Sequence, residues 1–136
     1  MLLTVSSAFA AFTVTLIDPA DSEVITTDSY TVNVTIDNAA NITLVNVSIN
    51  GEVICSNDTV DLTEYLCVWD TTSTGDGVYT IYANATNSTG YSAIDNSTNV
   101  IVDLEGPVVT INDPENDTDI SDTTPDITFN FTDAVS

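Results

Sequence analysis

Period-two alternation of apolar and polar side chains constrains this chain more than any other feature. In "SYTVNVTID", residues 29–37, Tyr30, Val32, Val34 and Ile36 fall on one side of an extended backbone, and Thr31, Asn33 and Thr35 fall on the other. The pattern returns in "GVYTIYANAT" with Tyr79, Ile81, Ala83 and Ala85, and in "DITFNF" with Ile127, Phe129 and Phe131. Each such segment has one face to bury. Further strands are expected at 13–17, 43–49, 52–56, 64–69 and 98–103, and no stretch sustains a helical period. Asn50-Gly51 and Asp76-Gly77 supply turn residues, since hairpin turns demand positive φ and these pairs tolerate it. Short strands at this spacing predict an all-β, antiparallel sandwich.

Apolar burial and backbone pairing must hold that sandwich without help from opposite charges. The chain has 21 Asp and Glu, no Lys, Arg or His, and a formal charge of −21, so no side-chain salt bridge can form. Acidity of this degree often means disorder, but 43% of the residues are hydrophobic and they sit in alternating groups. The carboxylates repel one another at low ionic strength, which fits a saline or cation-rich surrounding. Nucleic acid is excluded as a partner because phosphate binding requires the missing cations. Anionic membrane surfaces are excluded for the same reason.

Cys55 and Cys67 are the only cysteines. Val53 with Cys55, and Tyr65 with Cys67, fit two antiparallel strands whose thiols meet across the ladder, and in an exported protein this reads as a disulfide. A zinc site would need further ligands, and redox chemistry would need a cation to lower a thiol pKa. In "YLCVWDTTSTGDGVY", residues 65–79, Tyr65 and Trp69 share the face of Cys67 and read as core. Asp70 and Asp76 are close in sequence, but "DTTSTGDG" lacks the oxygen spacing and terminal Glu of a calcium loop. Without His, Lys or Arg, only a carboxylate pair could perform acid and base catalysis. The nearest sets, Asp18, Asp21 and Glu23 or Asp113, Glu115 and Asp117, lie in turn-rich "DPAD" and "DPEND". No catalytic residue is assigned, and the chain reads as non-enzymatic.

The chain repeats itself. "VTINDPENDTDISDTTPDITFNFTDA" from Val109 follows "VTLIDPADSEVITTDSYTVNVTIDNA" from Val14 without a gap, so Val14 and Val109, Pro19 and Pro114, or Val34 and Phe129, are 95 positions apart. Such a period indicates tandem domains. One domain is expected over 12–104, and 105–136 reads as the start of a second copy, cut after about its first two strands. "VDLEGP", residues 102–107, forms the junction, stiffened by Pro107, and Asp103, Glu105 or Asp113 there are compatible with calcium. At the other end "MLLTVSSAFAAF" is too short to span a bilayer, and Ala8-Phe9-Ala10 offers a small-x-small cleavage site. It lacks a basic n-region, so residues 1–11 read as a signal-peptide remnant or a first strand.

The order of these elements resembles the bacterial and archaeal immunoglobulin-like repeats of large cell-surface proteins. The matching residues are Asp18-Pro19-Ala20-Asp21, Asn50-Gly51, Trp69-Asp70-Thr71, Asp76-Gly77-Val78-Tyr79 and the closing Val102-Asp103, over residues 12 to 136. The resemblance implies an immunoglobulin-like β-sandwich, used as a spacer or adhesive module of an extracellular chain. Neighbouring repeats are its expected partners, with other surface proteins or glycans beyond them. The chain departs from such repeats in lacking basic residues and in carrying "NATNSTG" where they commonly have Asp-x-x-Gly-Asn.

Nine of the thirteen asparagines begin Asn-x-Ser/Thr: Asn33, Asn41, Asn46, Asn57, Asn84, Asn87, Asn96, Asn116 and Asn130. Composition alone would yield about three, so N-glycosylation is the favoured reading, with plain polar residues on solvated sheet faces as the alternative. Asn33, Asn84 and Asn130 stand on the polar faces of their strands. The expected role is a structural repeat of a secreted, glycosylated surface protein. An accessory module of a secreted hydrolase and a strand-exchanging filament subunit are the alternatives.

Overall fold

A computed structural model describes residues 11–39, 41–59 and 61–133; the cleavage site expected at Ala8-Phe9-Ala10 lies outside them. Among the described residues ten strands run in chain order: β1 (Thr13–Asp18), β2 (Val24–Ile25), β3 (Ser29–Asp37), β4 (Ile42–Ile49), β5 (Glu52–Asn57), β6 (Glu64–Asp70), β7 (Gly77–Asn87), β8 (Ser92–Val102), β9 (Val108–Asp113) and β10 (Thr128–Thr132). One four-residue helix, α1 (Thr71–Thr74), follows β6. The strands form a five-stranded sheet ordered β2-β8-β7-β4-β5, a three-stranded sheet ordered β1-β3-β6, and the β9–β10 pair. All pairings are antiparallel except β2 with β8.

Alternation decides what is buried. Phe12, Val14 and Leu16 of the β1 segment, Val32, Val34 and Ile36 of β3, and Cys67 and Trp69 of β6 face inward from the smaller sheet. Val45, Val47 and Ile49 of β4, Ile81, Ala83 and Ala85 of β7, and Val100 and Val102 of β8 meet them from the larger one in a single core. Removing this apolar surface from water is the main stabilising term, at about 25 cal/mol per Å². Asn50 (φ 48°) and Gly51 (φ 92°) both adopt positive φ in the tight β4–β5 turn, as a two-residue hairpin with a type I′ twist requires.

The two open seams of the sandwich are closed by different means. Along one, the chain crosses between sheets: β1 pairs in the smaller sheet and β2 in the larger. Polar groups lock this crossing. Asp95 of β8 accepts the Leu16 N–H at 2.9 Å, Ser97 donates its hydroxyl to the Pro19 carbonyl, and Asp21 accepts the Thr98 N–H at 2.6 Å. Along the other seam run the free edges of β5 and β6, tied by the Cys55–Cys67 disulfide.

That position corrects the expected cross-strand ladder. β5 pairs only with β4 and β6 only with β3, so the bond joins two sheets rather than two neighbours in one. The pairing of Val53 with Cys55 on one face also fails. A register shift sets Cys55 opposite Val47 but Val53 opposite Ser48, and the extra residue, Ile54, turns Val53 outward to 55% exposure.

The β9–β10 ladder copies β1–β3 pair for pair. Val14 faces Ile36 and Leu16 faces Val34; Val109 faces Phe131 and Ile111 faces Phe129, and each ladder shifts register at the same place. Asp18-Pro19 and Asp113-Pro114 are both cis. The difference is burial: Val14, Leu16, Val34 and Ile36 are at most 8% exposed, whereas Val109, Ile111, Phe129 and Phe131 are 59–71% exposed.

A folded unit without a cation is expected to gain stability from simple salt. Raising NaCl from 0.01 to 1 M shortens the Debye length from about 30 Å to about 3 Å, which removes most carboxylate repulsion. The melting temperature, followed by circular dichroism, is expected to rise by several degrees over that range. A flat or falling curve would show that repulsion among the 21 carboxylates does not limit the fold.

Candidate functional site

The residues with functional potential fall into three groups, and the first is the "YLCVWDTTSTGDGVY" stretch. Trp69, 1% exposed, donates Nε1–H to Thr74 Oγ1 at 3.2 Å and meets Tyr79 edge to face at 5.6 Å between ring centres. Tyr79 donates its hydroxyl to the carbonyls of Thr74 and Gly75. Gly75, with φ 77°, donates its N–H back to Thr71 and ends the short helix. Asp70 begins that helix: its Oδ1 accepts from the N–H groups of Thr72 and Ser73 and from the Thr72 hydroxyl, and its Oδ2 accepts from the Ser73 hydroxyl. Asp76 instead accepts the Leu104 N–H at 2.8 Å. The two carboxylates are thus committed to different local bonds, and the stretch closes one end of the core as a turn between strands.

The Thr72 hydroxyl, then that of Ser73, holds the Asp70 carboxyl below the ordinary Asp value. These bonds favour the charged form in the folded state alone. Their contribution is present above the unfolded pKa and is lost as pH falls through the lower folded value. An NMR titration of the Asp70 carboxyl carbon is expected to show the depressed midpoint, and the pair T72V and S73A should return it toward ordinary Asp. A midpoint unmoved by the pair would show that the hydroxyls are not the cause.

The second group is the carboxylates. Glu23 accepts the Ala20 N–H at 2.8 Å and the Tyr30 hydroxyl at 2.6 Å, and Asp21 holds Thr98, so two members of the "DPAD" set serve the sheet crossing. Burial, then the bond to Glu23, raises the Tyr30 hydroxyl above its usual range. Asp113, Glu115 and Asp117 are exposed, on β9 or the loop after it. Among the described residues no three acidic or cysteine side chains converge on a point that could hold a metal ion. Asp103 Oδ1 is buried without a hydrogen-bond partner among those residues. Its strand-end position carries no sequence signal that would have revealed this.

The sequon asparagines form the third group, and the fold sorts them. Asn41, Asn96, Asn116 and Asn130 are exposed, while Asn46, Asn57 and Asn84 are half-buried. Asn87 is 6% exposed, and its Oδ1 accepts from the Thr89 N–H, the Thr89 hydroxyl and the Tyr91 N–H. That asparagine builds the β7–β8 turn. Asn33 lies on the outer face of β3, as alternation requires, but its Oδ1 is buried and unpartnered among the described residues.

No helix among the described residues is long and apolar enough to cross a membrane. No curated protein matches the chain. Among solved structures it is similar to fibronectin(III)-like modules of CbhA from Clostridium thermocellum, with a TM-score of 0.56 and 18% identity over 89% of this chain. The chain spans 63% of that structure's length, and the likeness bears on fold. The family model for the bacterial Ig domain matches residues 13–83, from β1 through the inward Ala83 of β7. Domains of this kind are generally non-catalytic structural or binding modules, often extracellular, and the inter-sheet disulfide suits that setting. With more than half of its residues matched and both sheets of the sandwich represented among them, the chain belongs to the bacterial Ig domain family.

Proposed function

We propose that this chain is a non-catalytic spacer of a secreted, N-glycosylated cell-surface protein, assembled from tandem copies of one sandwich unit. Residues 12–104 make one copy and 105–136 belong to the next. The observation that carries the reading is the path of the chain through the unit. It enters where Phe12 packs edge to face on Tyr91, beside the start of β8, and leaves after Val102, where Asp103 N–H bonds to the Ile25 carbonyl. Between those points β1 and the crossing advance in step with β8: Leu16 meets Asp95, Pro19 meets Ser97, Ser22 meets Thr98 and Ile25 meets Val102. Entry and exit therefore lie at opposite ends of an eleven-residue strand, about 35 Å long at 3.3 Å per residue. Copies joined this way extend end to end instead of folding back. The repeated register of β9–β10 supports the reading that the second copy starts as the first does.

An antibody against the 12–104 unit is expected to label intact, unpermeabilised cells of the source organism, and the extracted protein is expected to stain for carbohydrate. Labelling that appears only after permeabilisation would overturn the surface assignment.

A further inference from the structure

Acidic residues are spread along the chain, yet one face has none. β4 and β7 contain no Asp or Glu, and β8 contains only Asp95, which turns inward to hold Leu16. The outer face of these three strands is built from Ser, Thr, Asn, Tyr and a few aliphatic side chains, in a chain of net charge −21. Three sequons stand on it. Asn46 of β4 lies directly opposite Asn84 of β7, and Asn96 of β8 lies opposite Tyr82.

We propose that this is the glycan-bearing face, with sugar on Asn96 and on either Asn46 or Asn84, but never on both of the latter in one molecule. The inference rests on the N-glycosylation reading above. Ser56 donates its hydroxyl to Asn46 Oδ1 at 2.8 Å, which engages the amide oxygen and not the amide nitrogen, the atom that takes sugar; Asn96 is exposed. In the transfer the Nδ2 atom attacks the anomeric carbon of a glycosyl phosphate donor. The new N–C bond replaces the C–O bond, the phosphate leaves with the bonding pair, and one amide proton passes to a base of the transferase. Exclusion follows from register. The Asn50 N–H donates to the Thr80 carbonyl, and counting back in twos makes Asn46 and Asn84 a hydrogen-bonded pair of the ladder. The Cα atoms of such a pair are about 5.5 Å apart with parallel side chains. A pyranose ring with its substituents is wider than that gap, so the first sugar denies the second a place.

Intact-protein mass spectrometry of the native glycoprotein, with fragmentation in the gas phase, reads all three sites on one molecule; trypsin has no site in a chain without Lys or Arg. The expected glycoforms carry Asn96 with Asn46 or with Asn84. N46Q should raise occupancy at Asn84, by about twofold if the two share it evenly, and N84Q should do the reverse. Molecules modified at both sites would overturn the exclusion. Sugar confined to Asn41, Asn57, Asn116 or Asn130 would overturn the face assignment and leave the glycoprotein reading standing. No sugar at any sequon would remove both.

Discussion

Replacing Trp69 with alanine is expected to destabilise the sandwich by about 3–5 kcal/mol, the range for truncating a large buried aromatic. The side chain is 1% exposed, and it sits where β6 hands over to α1, so its loss is felt in two ways. A cavity opens in the core beside Cys67. The Nε1–H bond to Thr74 and the edge-to-face contact with Tyr79 also vanish, and these hold the turn that starts β7. Domains are stable by only about 5–15 kcal/mol in total, so W69A should approach the unfolding threshold. Urea denaturation followed by far-ultraviolet circular dichroism measures the loss, since the variant lacks the only tryptophan. W69F, which keeps an aromatic ring but not the N–H, should fall between. A loss below about 1 kcal/mol for W69A would mean that the side chain is not the core anchor its burial implies.

Alternation makes most of this architecture legible in the sequence. β3, β4, β6 and β7 appear within a residue or two of where period-two patterning puts them, because each has one apolar face against one core. The pattern marks β8 only from residue 98, although the strand begins at Ser92. Its first half carries Asp95 and Ser97 at inward positions. Those polar groups are satisfied by Leu16 and Pro19, 79 and 78 residues away, and partners at such separation leave no local trace. The two-residue β2 and the four-residue α1 are too short to establish a period.

The candidate sites show the same division between local and distant information. Turn chemistry at Asn50-Gly51 is local and was readable. Asn87 also satisfies the sequon pattern, but its bonds to Thr89 and Tyr91 make it a turn residue, a distinction invisible to a three-residue motif. The pairing of Cys55 with Cys67 follows from there being two cysteines, whereas their membership of different sheets depends on strand order. Strand order is set by contacts across the whole unit.

Breaking that bond is the second large expected effect. C55A with C67A should lower unfolding stability by about 3 kcal/mol, the chain-entropy value for a short closed loop, here of sequence separation 12. The position of the bond adds a structural consequence that loop entropy lacks. Among the described residues β5 has a ladder partner only in β4, and β6 only in β3, so no backbone ladder joins these two edges, and side-chain packing and the disulfide keep them together. Without the bond, Val53, Leu66 and Val68, each more than half exposed, flank an unguarded pair of strand edges. Hydrogen exchange should therefore quicken in β5 and β6 together, while β7 and β8 at the centre of the larger sheet keep their protection. The double variant should also self-associate more readily as concentration rises, through pairing of the freed edges. Had the cysteines been ladder neighbours, the backbone bonds between their strands would have held both edges, and exchange there would barely change. Unchanged exchange in β5 and β6, with the full loss of global stability, would show that the bond acts on the unfolded chain alone and does not hold the sheets together.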